Sequence, residues 1–408
     1  MDLQSFRRLL TPAGQEALRA AEALEPREEG FLAHLTALTR RFPPELARPA
    51  LETAILRREA AARFPSSSQL YFTRPALEQA SSWQVAAHRA ARYRGFRLAA
   101  DLGCSIGGDS LALAQEVPCL GLDLDPLRLE MARANLAAAG AGLETGFLRA
   151  DLNAPLPLKP SPSTALFFDP ARRSGGRRIF SVRAYQPPLE ALWDWLPRFP
   201  ALGVKISPGV DLAELEPYER AAAPEIEFVS LNGELKEAVL WFGPLRSARR
   251  RATLLPGGHS LTAQEDPRAG GERLPLSEPR AYLYEPDPAV LRAGLVADLG
   301  FELEAAQLDP EIAYLTAEKP RPTPFARVWA VEDWMPFQLK RLRAYLRERG
   351  VSRVVVKKRG SPLQPEELIR RLRLPDDPRG TEKVLFLTRL QGRPIVVIAV
   401  RVEDPLRR

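Results

Sequence analysis

Between residues 98 and 126 the chain runs from an apolar segment through a glycine-rich turn and a helical stretch into a second apolar segment that ends on acid. The first segment is Leu98-Ala99-Ala100-Asp101-Leu102, and the turn is Gly103-Cys104-Ser105-Ile106-Gly107-Gly108-Asp109. The second segment is Cys119-Leu120-Gly121-Leu122-Asp123, followed by Leu124-Asp125-Pro126. Strand, turn, helix, strand is the opening of a parallel α/β sheet. The glycines permit a tight turn and let backbone N–H groups approach a ligand closely. Their spacing is G-x-x-x-G-G, not the G-x-G-x-x-G of pyrophosphate-binding turns. Opening on Asp101 also suits a cationic amino-acid cofactor better than a pyrophosphate, because a carboxylate binds an ammonium group, usually through water.

A carboxylate that holds ribose hydroxyls belongs about twenty residues further on. Asp123 is the candidate, with Leu124 beside it and Asp125 as neighbour or helix cap. A third element, Arg149-Ala150-Asp151-Leu152, puts Asp151 where it can receive an adenine amino group. Three such elements in this order resemble the class I S-adenosylmethionine-dependent methyltransferases, over roughly residues 95 to 245. The resemblance implies a Rossmann-like sheet and S-adenosyl-L-methionine as cofactor. Asp101, Gly103, Ser105, Gly107, Asp123, Leu124, Asp151 and Leu152 are then its binding residues.

The fourth apolar strand, Thr164-Ala165-Leu166-Phe167-Phe168, runs into Asp169-Pro170-Ala171-Arg172-Arg173. Chemistry in open α/β sheets gathers at the carboxyl ends of strands. Phe167 and Phe168 lie within the apolar run and read as core. The position resembles the D/N-P-P-Y/F/W motif of methyltransferases acting on amino groups, in which the acidic or amide side chain orients the target nitrogen. Asp169 and Pro170 are kept, whereas Ala171 and Arg172 replace the rest. A planar guanidinium stacks on a base or holds a phosphate, so Arg172 and Arg173 are substrate-binding candidates. Asp169-Pro170-x-Arg is also similar to enzymes that methylate pyrimidine C5. Those need a cysteine nucleophile, and the segment after the fifth strand is Ile206-Ser207-Pro208-Gly209. In-line displacement onto nitrogen or oxygen is therefore expected, with Asp169, Pro170, Arg172 and Lys205 as catalytic candidates. A sheet-stabilising Lys205–Glu237 pair is the competing reading of Lys205.

The remaining organisation follows from periodicity. Residues 1–95 read as a helical region, with Pro43, Pro44 and Pro49 as punctuation, a helix from Leu51 to Phe64 and another from Ala76 to Arg94. Residues 96–250 hold the methyltransferase-type domain, with Cys104 and Cys119 as structural residues. Within it, Glu225–Leu231 and Glu237–Phe242 form a closing pair turned by Asn232-Gly233. Residues 251–325 are expected to connect to an α+β module at 326–408, with a strand at Ala281-Tyr282-Leu283-Tyr284 and a helix from Ala289 within them.

That module is strongly basic: Lys340, Arg343 and Arg347 share a helix face, and Val356-Lys357-Lys358-Arg359-Gly360 continues the charge. Lys357, Lys358 and Arg359 are its substrate-binding candidates. Asp169-Pro170-Ala171-Arg172-Arg173, Lys205-Ile206-Ser207-Pro208-Gly209, Tyr284-Glu285-Pro286-Asp287-Pro288 and Val356-Lys357-Lys358-Arg359-Gly360 together resemble bacterial proteins in which a methyltransferase domain precedes a THUMP-like domain. This implies docking of structured RNA, tRNA or rRNA.

Composition narrows the alternatives. The net charge of +7 and a pI near 9.6 favour a polyanionic partner. Two cysteines and three scattered histidines in 408 residues form neither a disulfide framework nor a metal site, so no metal is expected. No apolar run approaches a membrane span and Met1-Asp2-Leu3-Gln4-Ser5-Phe6 lacks a signal peptide's apolar centre, so a cytoplasmic protein is expected, with no membrane partner. The leading expectation is an RNA base methyltransferase, nitrogen favoured. Two alternatives stand beside it: a protein or small-molecule methyltransferase of the same fold, and a non-catalytic RNA-binding protein that retains the cofactor pocket.

Overall fold

A computed structural model describes residues 1–140, 143–171, 173–174, 177–178, 181–264, 273–375 and 380–402. Two compact units emerge. The first comprises Met1–Glu225 and Glu237–Ser247; the second comprises Ile226–Lys236 and the chain from Ala248 onward.

The first unit begins with helices α1 (Leu3–Leu9), α2 (Pro12–Glu22), α3 (Phe31–Thr39) and α4 (Pro44–Ala60). Pro49 lies inside α4 without ending it. The helix expected over Ala76–Arg94 is instead two, α5 (Arg74–Gln79) and α6 (Trp83–Ala90). Thr73 caps α5 and the extended backbone of Ser82 restarts α6, because serine and threonine favour helix entries over interiors. These helices do not form a separate domain. Phe6, Leu18, Leu51, Phe64, Phe72 and Leu77 share one buried core with Ile106, Leu111 and Met131, which belong to the turn and helices that follow the first two sheet strands. Asn135, fully buried, accepts the Tyr71 N–H at 2.6 Å and donates to the Tyr71 and Ile106 carbonyls at 3.0 and 2.9 Å.

Strands β1 (Leu98–Leu102), β2 (Cys119–Asp123), β3 (Thr145–Arg149) and β4 (Thr164–Phe168) alternate with α7 (Gly108–Leu113) and α8 (Pro126–Ala139). Asp125 caps α8, accepting the N–H groups of Leu127 and Arg128. A short ladder, β5 (Arg173–Ser174) with β6 (Arg177–Arg178), precedes α9 (Leu192–Trp195), β7 (Leu202–Ile206) and α10 (Glu216–Ala222). β1 pairs in parallel with β2 and β4, β2 with β3, and β4 with β7. β8 (Glu225–Leu231) and β9 (Glu234–Phe242) flank Asn232 and Gly233, both at positive φ as a two-residue hairpin turn requires. β9 runs antiparallel to β7. Phe167 and Phe168 are buried, as expected of core. β3 has no buried residue and left no trace in the apolar pattern.

In the second unit β8 pairs in parallel with β10 (Arg250–Leu255), which pairs antiparallel with β11 (His259–Ala263). A separate seven-stranded sheet follows, built from β12 (Tyr282–Pro286), β13 (Ala306–Asp309), β14 (Ile312–Ala317), β15 (Ala326–Pro336), β16 (Val351–Lys358), β17 (Thr381–Leu390) and β18 (Arg393–Arg401). Asp287 caps α11 (Pro288–Ala293), which α12 (Val296–Glu302) follows; α13 (Leu339–Glu348) and α14 (Pro365–Leu372) complete the unit. The segment 251–325 is thus folded rather than connecting: β12 is bonded on one side to β14 and on the other to β15. A boundary at 326 would cut through hydrogen-bonded strands.

Candidate active site

The strand order reverses at β1, whose neighbours are β2 and β4. Ligands of open α/β sheets bind in the crevice at such a switch point. Gly103 leaves β1 at φ 84°, and a Cβ there would meet the Asp169 carbonyl oxygen at 3.1 Å. Only glycine lets the turn after β1 lie against the turn after β4. Gly107, at φ 80°, opens α7, and its Cβ would press on Ala132 of α8. A cavity of about 800 Å³ opens at this point, wholly within the first unit. Its walls include Gly103, Ser105, Asp123, Leu124, Asp151 and Leu152 of the expected cofactor residues, together with Asp169 and Pro170. Asp101, Gly107 and Lys205 are not on its surface.

Asp101 sits behind the turn, 1% exposed. Its Oδ2 accepts the Ser110 hydroxyl at 2.5 Å, while its Oδ1 is buried with no partner among the described residues. Asp123 is held from two directions: Oδ2 accepts the Ser105 N–H and Oδ1 the Asp125 N–H, each at 2.9 Å. Its rotamer is therefore set by backbone donors, and the remaining lone pairs are available to hydroxyl groups. Asp151 bonds the backbone and side-chain N–H groups of Asn153 through one oxygen, and those bonds hold its carboxyl below the usual range. Leu124, 55% exposed, presents a bare apolar face to the cavity.

Asp169 leaves β4 with its Oδ2 accepting the Lys205 ammonium at 2.5 Å; Lys205 is 3% exposed on β7. The expected Lys205–Glu237 pair is absent. Lys205 stands beside Val239, not Glu237, across the β7–β9 ladder, and Glu237 instead binds Arg89. Arg89, from α6, is fully buried, bonds Glu237, Asp109 and the Ser81 hydroxyl, and lies 5.0 Å over the Phe167 ring. Burial by itself would lower the guanidinium pKa, but Asp109 and Glu237 hold it above its ordinary value. Arg172 and the Arg173 side chain lie outside the described residues. Neither cysteine is at the end of β4 or β7, and burial pushes both thiols up.

Several cavity residues escaped the sequence reading. Gln79 and Ser81 come from the α5–α6 break; Arg183, Tyr185 and Gln186 come from the segment after the β4 turn. Gln186 is pinned beside the Asp169-Pro170 turn by paired backbone bonds with Ala171 at 3.0 and 3.2 Å. The Tyr185 hydroxyl accepts the Ser207 N–H at 3.0 Å. No local periodicity marks these positions, because a cavity wall follows chain topology rather than pattern. In the second unit, Lys357 pairs with Glu285 at 2.6 Å, Lys358 donates to Gln364 at 2.7 Å, and Arg359 donates to the Ala313 carbonyl at 3.0 Å.

These residues fit S-adenosylmethionine. The orphaned Asp101 oxygen, behind the turn, suits a water that bridges to an ammonium group, Asp123 suits a ribose diol, and Leu124 suits a ring face. Burial first, then the nearby Asp109 charge, pushes the Asp101 carboxyl up to about 8. An ammonium group is held by the carboxylate, not the acid, so binding must release a proton. Affinity should therefore rise as pH increases from 6 to 8, by at most about tenfold per unit. Without ligand the sign is opposite: the fold retains a proton that the unfolded chain has lost, so this group weakens stability as pH rises from about 4 toward 8. Calorimetric titration with S-adenosylhomocysteine in buffers of different ionisation enthalpy measures the release. Proton-neutral binding, or an Asp101→Asn variant with the same pH profile, would refute it.

Among the described residues no group of three or more His, Cys, Asp or Glu is placed to hold a metal ion, and no helix is long and apolar enough to cross a membrane. A family model described as THUMP domain-like matches residues 326–401, and one described as a domain of unknown function (DUF8688) matches residues 2–60. An uncharacterized S-adenosylmethionine-dependent methyltransferase of Mycobacterium tuberculosis (strain CDC 1551 / Oshkosh) is 37% identical over 361 residues, 86% of this chain and 92% of that protein. Its counterpart in Mycobacterium tuberculosis (strain ATCC 25618 / H37Rv) matches to the same extent. A crystal structure from Porphyromonas gingivalis W83, described provisionally as a methyltransferase, superposes with a TM-score of 0.75 at 22% identity, covering 93% of this chain and all of that one; this shows a common fold. The glycine turn, the ribose acid and the switch-point cavity thus sit in a chain that belongs to the S-adenosylmethionine-dependent methyltransferases carrying a THUMP-like C-terminal domain.

Proposed function

We propose that this methyltransferase modifies a base nitrogen in structured RNA, with Asp169 positioning the acceptor and the second unit holding the RNA. The observation that carries the reading is the Asp169-Pro170 turn, packed on the cofactor turn at the switch point and opening into the cavity. Bound S-adenosylmethionine supplies an electrophilic methyl group on a good leaving group. Lys205 engages Oδ2 of Asp169, which leaves Oδ1 to accept an N–H from the acceptor amine and orient its lone pair. Catalysis of this kind rests on positioning.

RNA is favoured by the THUMP-like match and by the charge of α13, where Lys340, Arg341 and Arg347 are exposed while Leu342 and Leu346 are buried. Arg343 is half-buried and donates to the Arg371 carbonyl, so of the expected Lys340, Arg343 and Arg347 face, Lys340 and Arg347 point outward, with Arg341 exposed beside them. Labelled methyl transfer should appear on total tRNA or rRNA from a strain lacking the protein, and prior nuclease treatment should abolish it. Replacing Lys340 and Arg347 with alanine should weaken RNA binding and reduce its log–log salt dependence by about 2. Failure to label any RNA pool from that strain would sink the reading, and nuclease-resistant labelling would point to a protein or small-molecule acceptor.

A further inference from the structure

The break between α5 and α6 brings two polar side chains, Gln79 and Ser81, onto the cavity wall beside Asp109. Neither belongs to the Rossmann-like sheet, and neither is explained by the Asp101, Asp123 and Asp151 contacts. Their hydrogen bonding fixes what they can offer. Ser81 Oγ accepts from Nη2 of Arg89 at 3.1 Å, so its lone pairs face a buried cation and its proton is left to point elsewhere. Gln79 donates one Nε2 hydrogen to the Pro75 carbonyl at 3.2 Å, which fixes the amide orientation and leaves a second N–H. Both side chains are thus spare donors on a cavity surface. The same Nη2 of Arg89 also binds Asp109 Oδ1, so Ser81 and Asp109 sit side by side on one guanidinium nitrogen. Donor and carboxylate adjacent on one wall match a zwitterion, whose carboxylate and ammonium share a single carbon.

We propose that Ser81 and Gln79 bind the α-carboxylate of S-adenosylmethionine, beside Asp109, whose side of the wall, with Asp101 behind it, takes the ammonium. The helical N-terminal region therefore completes the cofactor site. Arg89 is a positioning residue here: it polarises the Ser81 hydroxyl, fixes Asp109, and is itself held by Glu237.

The test is calorimetric titration of the full chain with S-adenosylmethionine and with its decarboxylated form, which keeps the ammonium and loses only the anion. The wild-type protein should bind the carboxylated ligand at least about tenfold more tightly, the usual weight of hydrogen bonds to a charged group. In a Ser81→Ala/Gln79→Ala variant that preference should collapse to within about twofold, with affinity for the decarboxylated ligand unchanged. Ser81→Thr, which keeps the hydroxyl, should retain most of the preference and shows whether the position tolerates change. Equal weakening toward both ligands would mean that the segment is only a structural wall, and an unchanged preference would place the carboxylate elsewhere. Either result overturns the proposal, and neither touches the RNA reading, which concerns a different substrate.

Discussion

Replacing Asp169 with asparagine should lower kcat for methyl transfer by roughly 10²- to 10⁴-fold while leaving cofactor affinity within about twofold of wild type. The separation is expected because Asp169 lines the cavity beside the β1 turn but contributes only its backbone carbonyl to the approach at Gly103. Asparagine retains an oxygen for the Lys205 ammonium, so the buried lysine keeps a neutral partner. What is lost is the charged acceptor for the substrate N–H. Asp169→Ala is the harsher test and the less informative one. It leaves the Lys205 ammonium, 3% exposed, without a partner, and an unpaired buried charge costs about 3–5 kcal/mol. A fall in kcat for the asparagine variant with normal S-adenosylhomocysteine binding supports the assigned role. Unchanged turnover would move the positioning of the acceptor to another side chain, of which Gln186, held beside the same turn, is the first to examine.

Arg89→Leu should be among the most destabilising single changes in the first unit, by about 3–5 kcal/mol. Arg89 neutralises Glu237, buried to the same degree, and Asp109, which is 17% exposed. One oxygen of Glu237 already lacks a partner among the described residues, so removing the guanidinium leaves that carboxylate wholly uncompensated. A leucine also forfeits the contact with the Phe167 ring. The melting temperature should fall by on the order of 10 °C. Coupling gives a sharper readout: Glu237→Gln should cost less in the Arg89→Leu background than in wild type, because it then removes a charge that has no partner. Additive effects of the two substitutions would show that the pair is not coupled.

Legibility in the sequence followed the range of the interactions involved. The β1 turn, Asp123, the Asp125 cap and the Asp169-Pro170 turn were all readable because each is set within a few residues by glycine, by helix capping or by strand length. Asp101 was read as a cofactor residue, but its position behind the turn, away from the cavity surface, was not readable. β3 was missed because none of its residues is buried, so no apolar run marks it. The strand at Ala281–Tyr284 was readable and is β12, but β10, β11, β13 and β14 were missed because short strands among glycines and prolines resemble a connection until their partners are known. The helix expected over 76–94 failed at Ala80 to Ser82, where extended backbone at Ala80 and Ser82 separates two short helices.

By itself the sequence determined the class of sheet, the order of its first strands and the chemistry of the cofactor turn, because backbone stereochemistry and residue spacing act locally. Only the tertiary structure decided which charges meet. Lys205 pairs with Asp169 from the neighbouring strand, 36 positions away, and Arg89 pairs with Glu237, 148 positions away. Buried ions take their partners from whatever the topology brings within reach, and burial makes those partners obligatory. The same topology carried Gln79 and Ser81 from the helical region into a cavity that begins with the turn after Asp101.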